Sequence, residues 1–244
     1  MNFSKFTQMV RLLWQDTCLE IFSDHPEHIK IKKEKTIVKN MDRIFKATLK
    51  ISNEKGFQAM SMRNLSREAG LSMGALYAYF SSKEDLLEML QRMGRTITEQ
   101  VLGECLATDE DPVEKLGKAI RTHLYLSEVL QPWFYFAYME AKNLSEKGKE
   151  RAVASELLTE KIFADIILEG QEKGLFVHQD SRLLAAVIKA MVQDWYVKRW
   201  KYAKRNVSVD HYARFLVEFV AAYCLAREPA RRSELRGAGD ELYR

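Results

Sequence analysis

The residues best suited to specific polar contacts lie in one short stretch, from 61 to 87. Ser61 and Arg63 stand where a short helical pattern begins. A hydroxyl, free backbone N–H groups and a guanidinium at that position can bind phosphate oxygens. A second short helical pattern opens with Ser72, Met73, Gly74 and Ala75. Their small or flexible side chains let a helix approach base edges closely, and Met73 and Ala75 can contact thymine methyl groups.

Two short helices and a glycine turn must position these side chains. Ser61 is expected to cap the first helix, and Gly70 to end it in the left-handed conformation. Ser72 is the next expected cap, before a second helix over Met73–Phe80. Ser81 and Ser82, with Glu84 and Asp85 three residues further on, form overlapping capping-box patterns that begin a third helix. This spacing predicts a helix-turn-helix that places one helix in a DNA major groove.

The run Gly70–Phe80, followed by Ser82–Leu87, closely resembles the signature of the TetR family of bacterial transcriptional repressors. The resemblance extends back through Phe57 to Ile37. It implies that Tyr77 and Tyr79 lie near the DNA backbone and that Lys83 contacts a phosphate. One of the two tyrosines can alternatively belong to the core.

The composition favours an all-α protein. Among 244 residues, 47% are apolar and only four are proline, and no long stretch alternates with period two. We expect a three-helix DNA-binding domain followed by a larger helical bundle for dimerisation and ligand binding. The expected divisions are an N-terminal extension (1–35), the helix-turn-helix domain (36–98), the effector and dimerisation domain (99–227) and a polar tail (228–244).

Charge and cysteine content add weaker constraints. The formal net charge is only +4, and the three cysteines have no metal-ligand spacing, which favours a reducing cytoplasm. No metal site or cofactor is expected. No segment is apolar enough for a membrane span, and the N-terminus does not resemble a secretory signal.

Two features precede the DNA-binding domain. Apolar residues at helical spacing predict a helix over residues 1–23, either packed on its own domain or partner subunit, or acting as a regulatory lid. A basic arm follows, and it can neutralise DNA phosphates or simply be solvated. Its lysines are Lys30, Lys32, Lys33, Lys35 and Lys39.

The stretch Trp133–Glu140 is the most aromatic in the chain and must be buried. It is either plain core or one wall of a cavity, and the TetR resemblance favours a cavity for a small hydrophobic effector. The candidate effector contacts are His123, Trp133, Phe136, Tyr138, Met139 and Trp195. The aromatic and basic run Trp195–Tyr202 is either a solvated helix end or a site for an anionic group, such as the phosphates of an acyl-coenzyme A.

The last two long helical patterns are expected over Ser181–Arg205 and Val209–Ala226. The resemblance implies that they pair with a second copy in a four-helix bundle. The candidate interface residues are Leu184, Ile188, Met191, Phe215, Phe219 and Tyr223.

These observations together predict a ligand-responsive transcriptional regulator. It would bind a palindromic double-stranded DNA operator as a homodimer, repress, and be released by a small hydrophobic effector. Two alternatives stay open: an enzyme of the helical domain acting on a hydrophobic substrate, and a helical scaffold without DNA binding. The enzyme alternative is weak because no nucleophile–base pair or paired carboxylates occur at useful spacing. The sequence identifies neither the effector nor the operator, nor does it separate repression from activation.

Overall fold

A computed structural model describes residues 3–24, 33–106 and 110–225, and these are almost entirely helical. Within them, an isolated antiparallel bridge joins Phe176 and Leu225. The all-α prediction is therefore confirmed. The helices are α1 (Phe3–Ser23), α2 (Glu34–Lys55), α3 (Met62–Ala69), α4 (Met73–Leu76), α5 (Lys83–Leu106), α6 (Pro112–Val129), α7 (Gln131–Glu140), α8 (Glu146–Glu172), α9 (Ser181–Val197), α10 (Arg199–Lys204) and α11 (Val209–Cys224).

Two predicted features fall partly or wholly outside the described residues. Lys30 and Lys32 of the basic arm lie there, as does the polar tail 228–244. Lys33, Lys35 and Lys39 are described and exposed. None of the described helices is long and apolar enough to cross a lipid bilayer.

The helix-turn-helix forms through local caps. The Ser61 hydroxyl accepts the Asn64 N–H at 3.2 Å, and the Ser72 hydroxyl accepts the Ala75 N–H at 3.1 Å. Gly70 adopts φ 62°, a left-handed conformation that costs glycine no steric strain. The predicted length of the second helix is wrong, because α4 ends at Leu76 and a turn closed by Tyr79 N–H to the Leu76 carbonyl follows.

The core beneath these two helices comes mainly from α2. Its buried stripe includes Met41, Ile44 and Phe45, at the spacing expected for one helix face. Leu65 of α3 and Leu76 of α4 are fully buried. These apolar contacts on the inner sides of α3 and α4 orient the two helices, so that their opposite sides face solvent.

Helix α1 packs within its own chain, across both parts of the molecule. It lies against α2 on one side and against α5 and α6 on the other. Its Phe22 ring is 5.5 Å from the Tyr79 ring, whereas Phe6 lies 5.6 Å from Tyr125 of α6. Arg92 of α5 forms an ion pair with Asp24 just after α1. The extension is therefore packed within its own chain, against both domains.

Helix α6 is the centre of the C-terminal part and packs against α5, α8, α9 and α11. One predicted helix is interrupted here: Ser181–Arg205 divides at Lys198 into α9 and α10. The backbone at Lys198 (φ −113°, ψ 35°) leaves the helical conformation. Arg199 then forms two hydrogen bonds with Glu128 of α6, which hold the shorter helix in its new direction.

Candidate nucleic-acid interface and effector cavity

The N-terminal ends of α3 and α4 present polar and small side chains at the surface. Ser61, Arg63, Ser72 and Gly74 are exposed, and Met73 and Ala75 are partly exposed. Each cap hydroxyl accepts one backbone N–H and keeps its own O–H available as a donor. The arrangement can bind phosphate at two helix N-termini and offer small side chains to base edges.

The two candidate tyrosines have different environments. Tyr77 is 47% exposed, at the end of α4. Tyr79 is only 1% exposed, and its hydroxyl accepts a hydrogen bond from the Asn40 amide at 2.8 Å. The prediction that Tyr79 contacts DNA is contradicted, because the turn after Leu76 rotates its ring into the core beside Phe22. Tyr77 remains a candidate.

Lys83 has protein partners at the start of α5. Its ammonium donates to the Gln58 carbonyl at 2.9 Å and lies 4.8 Å from the centre of the Phe57 ring. Partial burial lowers the pKa of this ammonium. Lys83 therefore joins α5 to the segment between α2 and α3, and two of its three N–H donors remain for a phosphate.

A cavity of about 330 Å³ lies between α5, α6, α7, α8 and α9. This volume is near the lower end of small-molecule sites. Trp133, Phe134 and Tyr196 supply aromatic walls, and the exposed residues Tyr138 and Val153 mark the end that opens to solvent. Three sequence-predicted effector residues, His123, Trp133 and Tyr138, are brought together here.

The other three effector candidates lie elsewhere. Phe136 is fully buried against Phe57, with ring centres 6.0 Å apart, and Met139 is 44% exposed at the surface. Trp195 stacks on Tyr212 at 5.0 Å, and its indole N–H donates to Glu128. None of these three side chains lines the cavity, because each points to a different side of its helix.

Two charged residues that were not predicted from the sequence, Lys189 and Glu156, line the cavity together with His123. The buried Lys189 ammonium is 3.2 Å from Nε2 of His123 and 3.2 Å from a carboxylate oxygen of Glu156. Burial, with the nearby ammonium, lowers the pKa of His123 well below its usual value, and burial also lowers that of Lys189. His123 is therefore neutral, and its Nδ1 has no hydrogen-bond partner among the described residues. A lysine within the otherwise apolar run 183–192 was the available sequence signal.

The cations of the basic run after Trp195 form ion pairs within the chain. Lys198 and Lys201 both pair with Asp194, and Arg199 forms a two-point ion pair with Glu128 at 2.9 and 3.0 Å. Trp200 is exposed. These contacts support the alternative of a helix end stabilised by local pairs and leave no cluster of unpaired cations for phosphates there.

Helix α7 connects the cavity to the DNA-binding domain. Trp133, Phe134, Ala137 and Tyr138 line the cavity from this helix. On its other side, the Pro132 carbonyl accepts the Asn53 amide at 2.9 Å, and the buried Glu140 carboxylate accepts the Phe57 N–H at 3.0 Å. Helix α7 therefore contacts the cavity on one side, and α2 and the segment that leads into α3 on the other.

Helices α9 and α11 present an apolar surface to solvent. Its exposed members are Leu183, Val187, Phe215, Phe219 and Tyr223. Phe215, Phe219 and Tyr223 lie where the sequence predicted. Ile188 is fully buried in its own chain, and Leu184 and Met191 are partly buried against the core. Ile188 is therefore corrected from the interface to the core, and Leu183 and Val187 occupy the outward side of α9.

A helix-turn-helix joined to a helical domain with an internal cavity is the organisation of a DNA-binding regulator. The sequence matches the family "Bacterial regulatory proteins, tetR family" over residues 44–90 and the family "Tetracyclin repressor-like, C-terminal domain" over residues 109–222. The chain belongs to the TetR family and is a transcriptional regulator. Members of this family bind operator DNA as dimers.

Individual relatives extend over most of the chain. It is 21% identical over 210 residues to the transcriptional regulator HbdR of Aromatoleum sp. (strain CIB), covering 86% of this chain and 92% of that protein. The chain is also 27% identical over 182 residues to the transcriptional repressor KstR of Mycolicibacterium smegmatis, covering 72% of this chain and 85% of that protein. The crystal structure of the TetR-family regulator PfmR from Thermus thermophilus is similar to this chain, with a TM-score of 0.67 and 26% sequence identity. The match covers 76% of this chain and 100% of PfmR.

Proposed function

We propose that this regulator is a cytoplasmic repressor whose homodimer binds a palindromic operator and releases it when a small, largely apolar effector fills the cavity beside α7. Both HbdR and KstR are transcriptional regulators, and KstR is a repressor. The observation that carries the proposal is the position of α7, with Trp133 in the cavity wall and Glu140 bonded to Phe57 of the DNA-binding domain.

The DNA contacts assigned here are Ser61, Arg63, Ser72, Met73, Gly74, Ala75 and Tyr77, with Lys83 as a further phosphate contact. The recognition helix α4 is short and carries no Arg, Asn or Gln. Few base-specific hydrogen bonds are therefore available, and the shape and deformability of the operator supply part of the preference. Two DNA-binding domains, one from each subunit, are needed for useful affinity. They bind half-sites about one helical turn apart.

The release mechanism is a shift between two dimer states. An effector that binds better when α7 is displaced favours the state in which the two DNA-binding domains no longer match the half-site spacing. The exposed apolar surface of α9 and α11 is the assigned dimer contact, because burying it stabilises the pair.

Footprinting on the DNA upstream of the chain's own gene tests this proposal. We expect protection of two symmetry-related half-sites on the same face of the duplex. A double variant, Ser72→Glu with Ala75→Glu, places carboxylates at the recognition helix and should abolish protection, while Lys161→Gln at an exposed position of α8, outside the assigned DNA and dimer contacts, should not. Protection of a single unpaired half-site, or none with the folded wild type, would refute the proposed operator binding.

A further inference from the structure

The cavity beside α7 has charged as well as apolar residues in its lining, and these charges restrict the kind of ligand that it can bind. Its charged lining residues are Arg95, Glu156 and Lys189. Glu156 is paired with Lys189 at 3.2 Å and accepts a hydrogen bond from Gln193, so these two opposite charges compensate each other. Arg95 remains as an additional positive charge in the wall.

Arg95 has no ion pair or hydrogen bond in the part of the chain that the structure describes. The nearby Glu88 carboxylate is instead engaged by Arg151. Burial and the neighbouring Arg151 guanidinium lower the pKa of the Arg95 guanidinium, although the nearby Glu99 and Glu88 carboxylates act in the opposite direction without pairing with it. A planar guanidinium that is partly buried and has no ion pair can bind a carboxylate or a phosphate through two parallel hydrogen bonds.

The aromatic wall of the cavity, formed by Trp133, Phe134 and Tyr196, is suited to an apolar body. Apart from Arg95, the polar lining groups are uncharged or compensated: they are the Lys189–Glu156 pair, neutral His123 and neutral side chains such as Gln91, Thr98, Thr159 and Gln193. A volume of about 330 Å³ accepts a short acyl chain or one aromatic ring with its substituents. It is too small to enclose a whole coenzyme A thioester, whose nucleotide would extend through the open end near Tyr138.

We infer that the effector is an amphipathic anion, with an apolar body among Trp133, Phe134 and Tyr196 and an oxyanion group bound to Arg95. This inference rests on the proposed function, since it names the ligand class of the same cavity. A carboxylate and a coenzyme A phosphate both supply oxyanions that can bind the Arg95 guanidinium. Direct binding measurements distinguish these two sources of the oxyanion.

The test measures calorimetric binding to the full chain of octanoate and 3-phenylpropionate, their primary amides and their coenzyme A thioesters. We expect at least one anion to bind tenfold or more tightly than its neutral amide. Arg95→Gln should remove that difference, and Arg95→Lys should restore part of it. Arg92→Gln is the matched control, because Arg92 lies one turn away on α5, pairs with Asp24 and does not line the cavity.

Tighter binding of the free acids identifies a carboxylate as the partner of Arg95, whereas binding of the thioesters alone identifies phosphate. Equal affinities for acid and amide, unchanged affinities in Arg95→Gln, or no binding of any anion would each overturn the inference. A gel shift without ligand, run on the same variants, keeps this result separate from the proposed function. Retained operator binding by Arg95→Gln leaves the regulator proposal intact, whereas failure of the wild type to bind operator refutes that proposal whatever the probes do.

Discussion

The backbone N–H of Phe57, just after the first helix of the DNA-binding domain, donates to the Glu140 carboxylate at the end of α7, with a distance of 3.0 Å. Glu140 is 7% exposed and also accepts a hydrogen bond from Asn143. A buried carboxylate that accepts two hydrogen bonds holds both partners in place. The two functional parts of the chain are therefore joined by a specific polar contact in addition to apolar packing.

Replacing Glu140 by Ala should weaken this connection. The Phe57 N–H would be left buried without a partner, which costs about 1–3 kcal/mol of unfolding free energy. Chemical denaturation measures this loss, and effector-dependent operator release should become weaker. Glu146→Ala is the control, since Glu146 is highly exposed and forms only a surface pair with Lys149. Equal stability losses in the two variants would show that the Glu140 contact has no special role.

Gly94 on α5 allows the Trp133 ring to pack closely against the helix backbone. A Cβ added at Gly94 would lie 1.8 Å from Trp133 Cε2, so Gly94→Ala must displace the indole. The Trp133 indole N–H would lose its 3.1 Å hydrogen bond to the Leu90 carbonyl. We expect destabilisation of about 1–3 kcal/mol or more, with altered ligand binding, because Trp133 lines the effector cavity.

Gly103→Ala provides a matched comparison on the same helix. Apart from the backbone of α5 itself and the residues adjacent to Gly103, no described atom lies within 4 Å of a Cβ added at Gly103. Since alanine is the better helix former, this variant should be more stable by up to about 1 kcal/mol. Thermal unfolding of both variants distinguishes close packing from helix propensity, and a stable Gly94→Ala protein with an unmoved Trp133 would contradict the prediction.

The parts of the fold that depend on neighbouring residues could be predicted from the sequence. The Ser61 and Ser72 caps and the Gly70 turn each need only a few adjacent residues, and the structure contains all three. The apolar stripe of α2 could also be predicted, because polar residues occupy the other side of this helix. Local chemistry and a clear polar–apolar contrast therefore determine these elements.

The direction of side chains on apolar helices could not be predicted in the same way. On α9, Leu183 and Val187 face solvent while Ile188 faces the core, and all three are apolar. Hydrophobicity cannot distinguish the core from an interface when both sides are apolar. Arg95 and Lys189 were missed for another reason: they lie on helices far apart in sequence, and only tertiary packing brings them to one cavity.

Arg63 is predicted to contact a DNA phosphate from the start of α3. Arg63→Ala should weaken binding to all DNA sequences by a similar factor and reduce the salt dependence of log K by about 1.8, because the homodimer loses two phosphate contacts of about 0.9 each. Fluorescence anisotropy between about 50 and 200 mM salt measures this slope. Lys161→Ala removes an exposed charge from α8, outside the assigned DNA and dimer contacts, and should leave the slope unchanged. An unaltered slope in Arg63→Ala would place this side chain away from the DNA backbone.

The exposed rings of Phe215 and Phe219 are predicted to form the dimer contact. They are 61% and 52% exposed, and the double change to Glu should place repelling charges in the interface. Light scattering should then give the monomer mass, and operator affinity should fall. Leu12→Glu changes a residue that is 64% exposed on α1 and should preserve the dimer. A dimeric double variant would assign the interface to another surface.

The buried His123 should make stability depend on pH. Its pKa is lowered well below the usual 6.5 by burial and by Lys189, so the unfolded chain takes up a proton that the folded chain excludes. This contribution to stability is fully present above about pH 6.5 and is lost as the pH falls below it, by about 1 kcal/mol at pH 5.5. His123→Gln should lack that decrease, whereas His178→Gln, at an exposed position, should retain it. Denaturation at pH 7.5 and 5.5 measures the difference, and equal pH dependence in wild type and His123→Gln would show that His123 is not the group responsible.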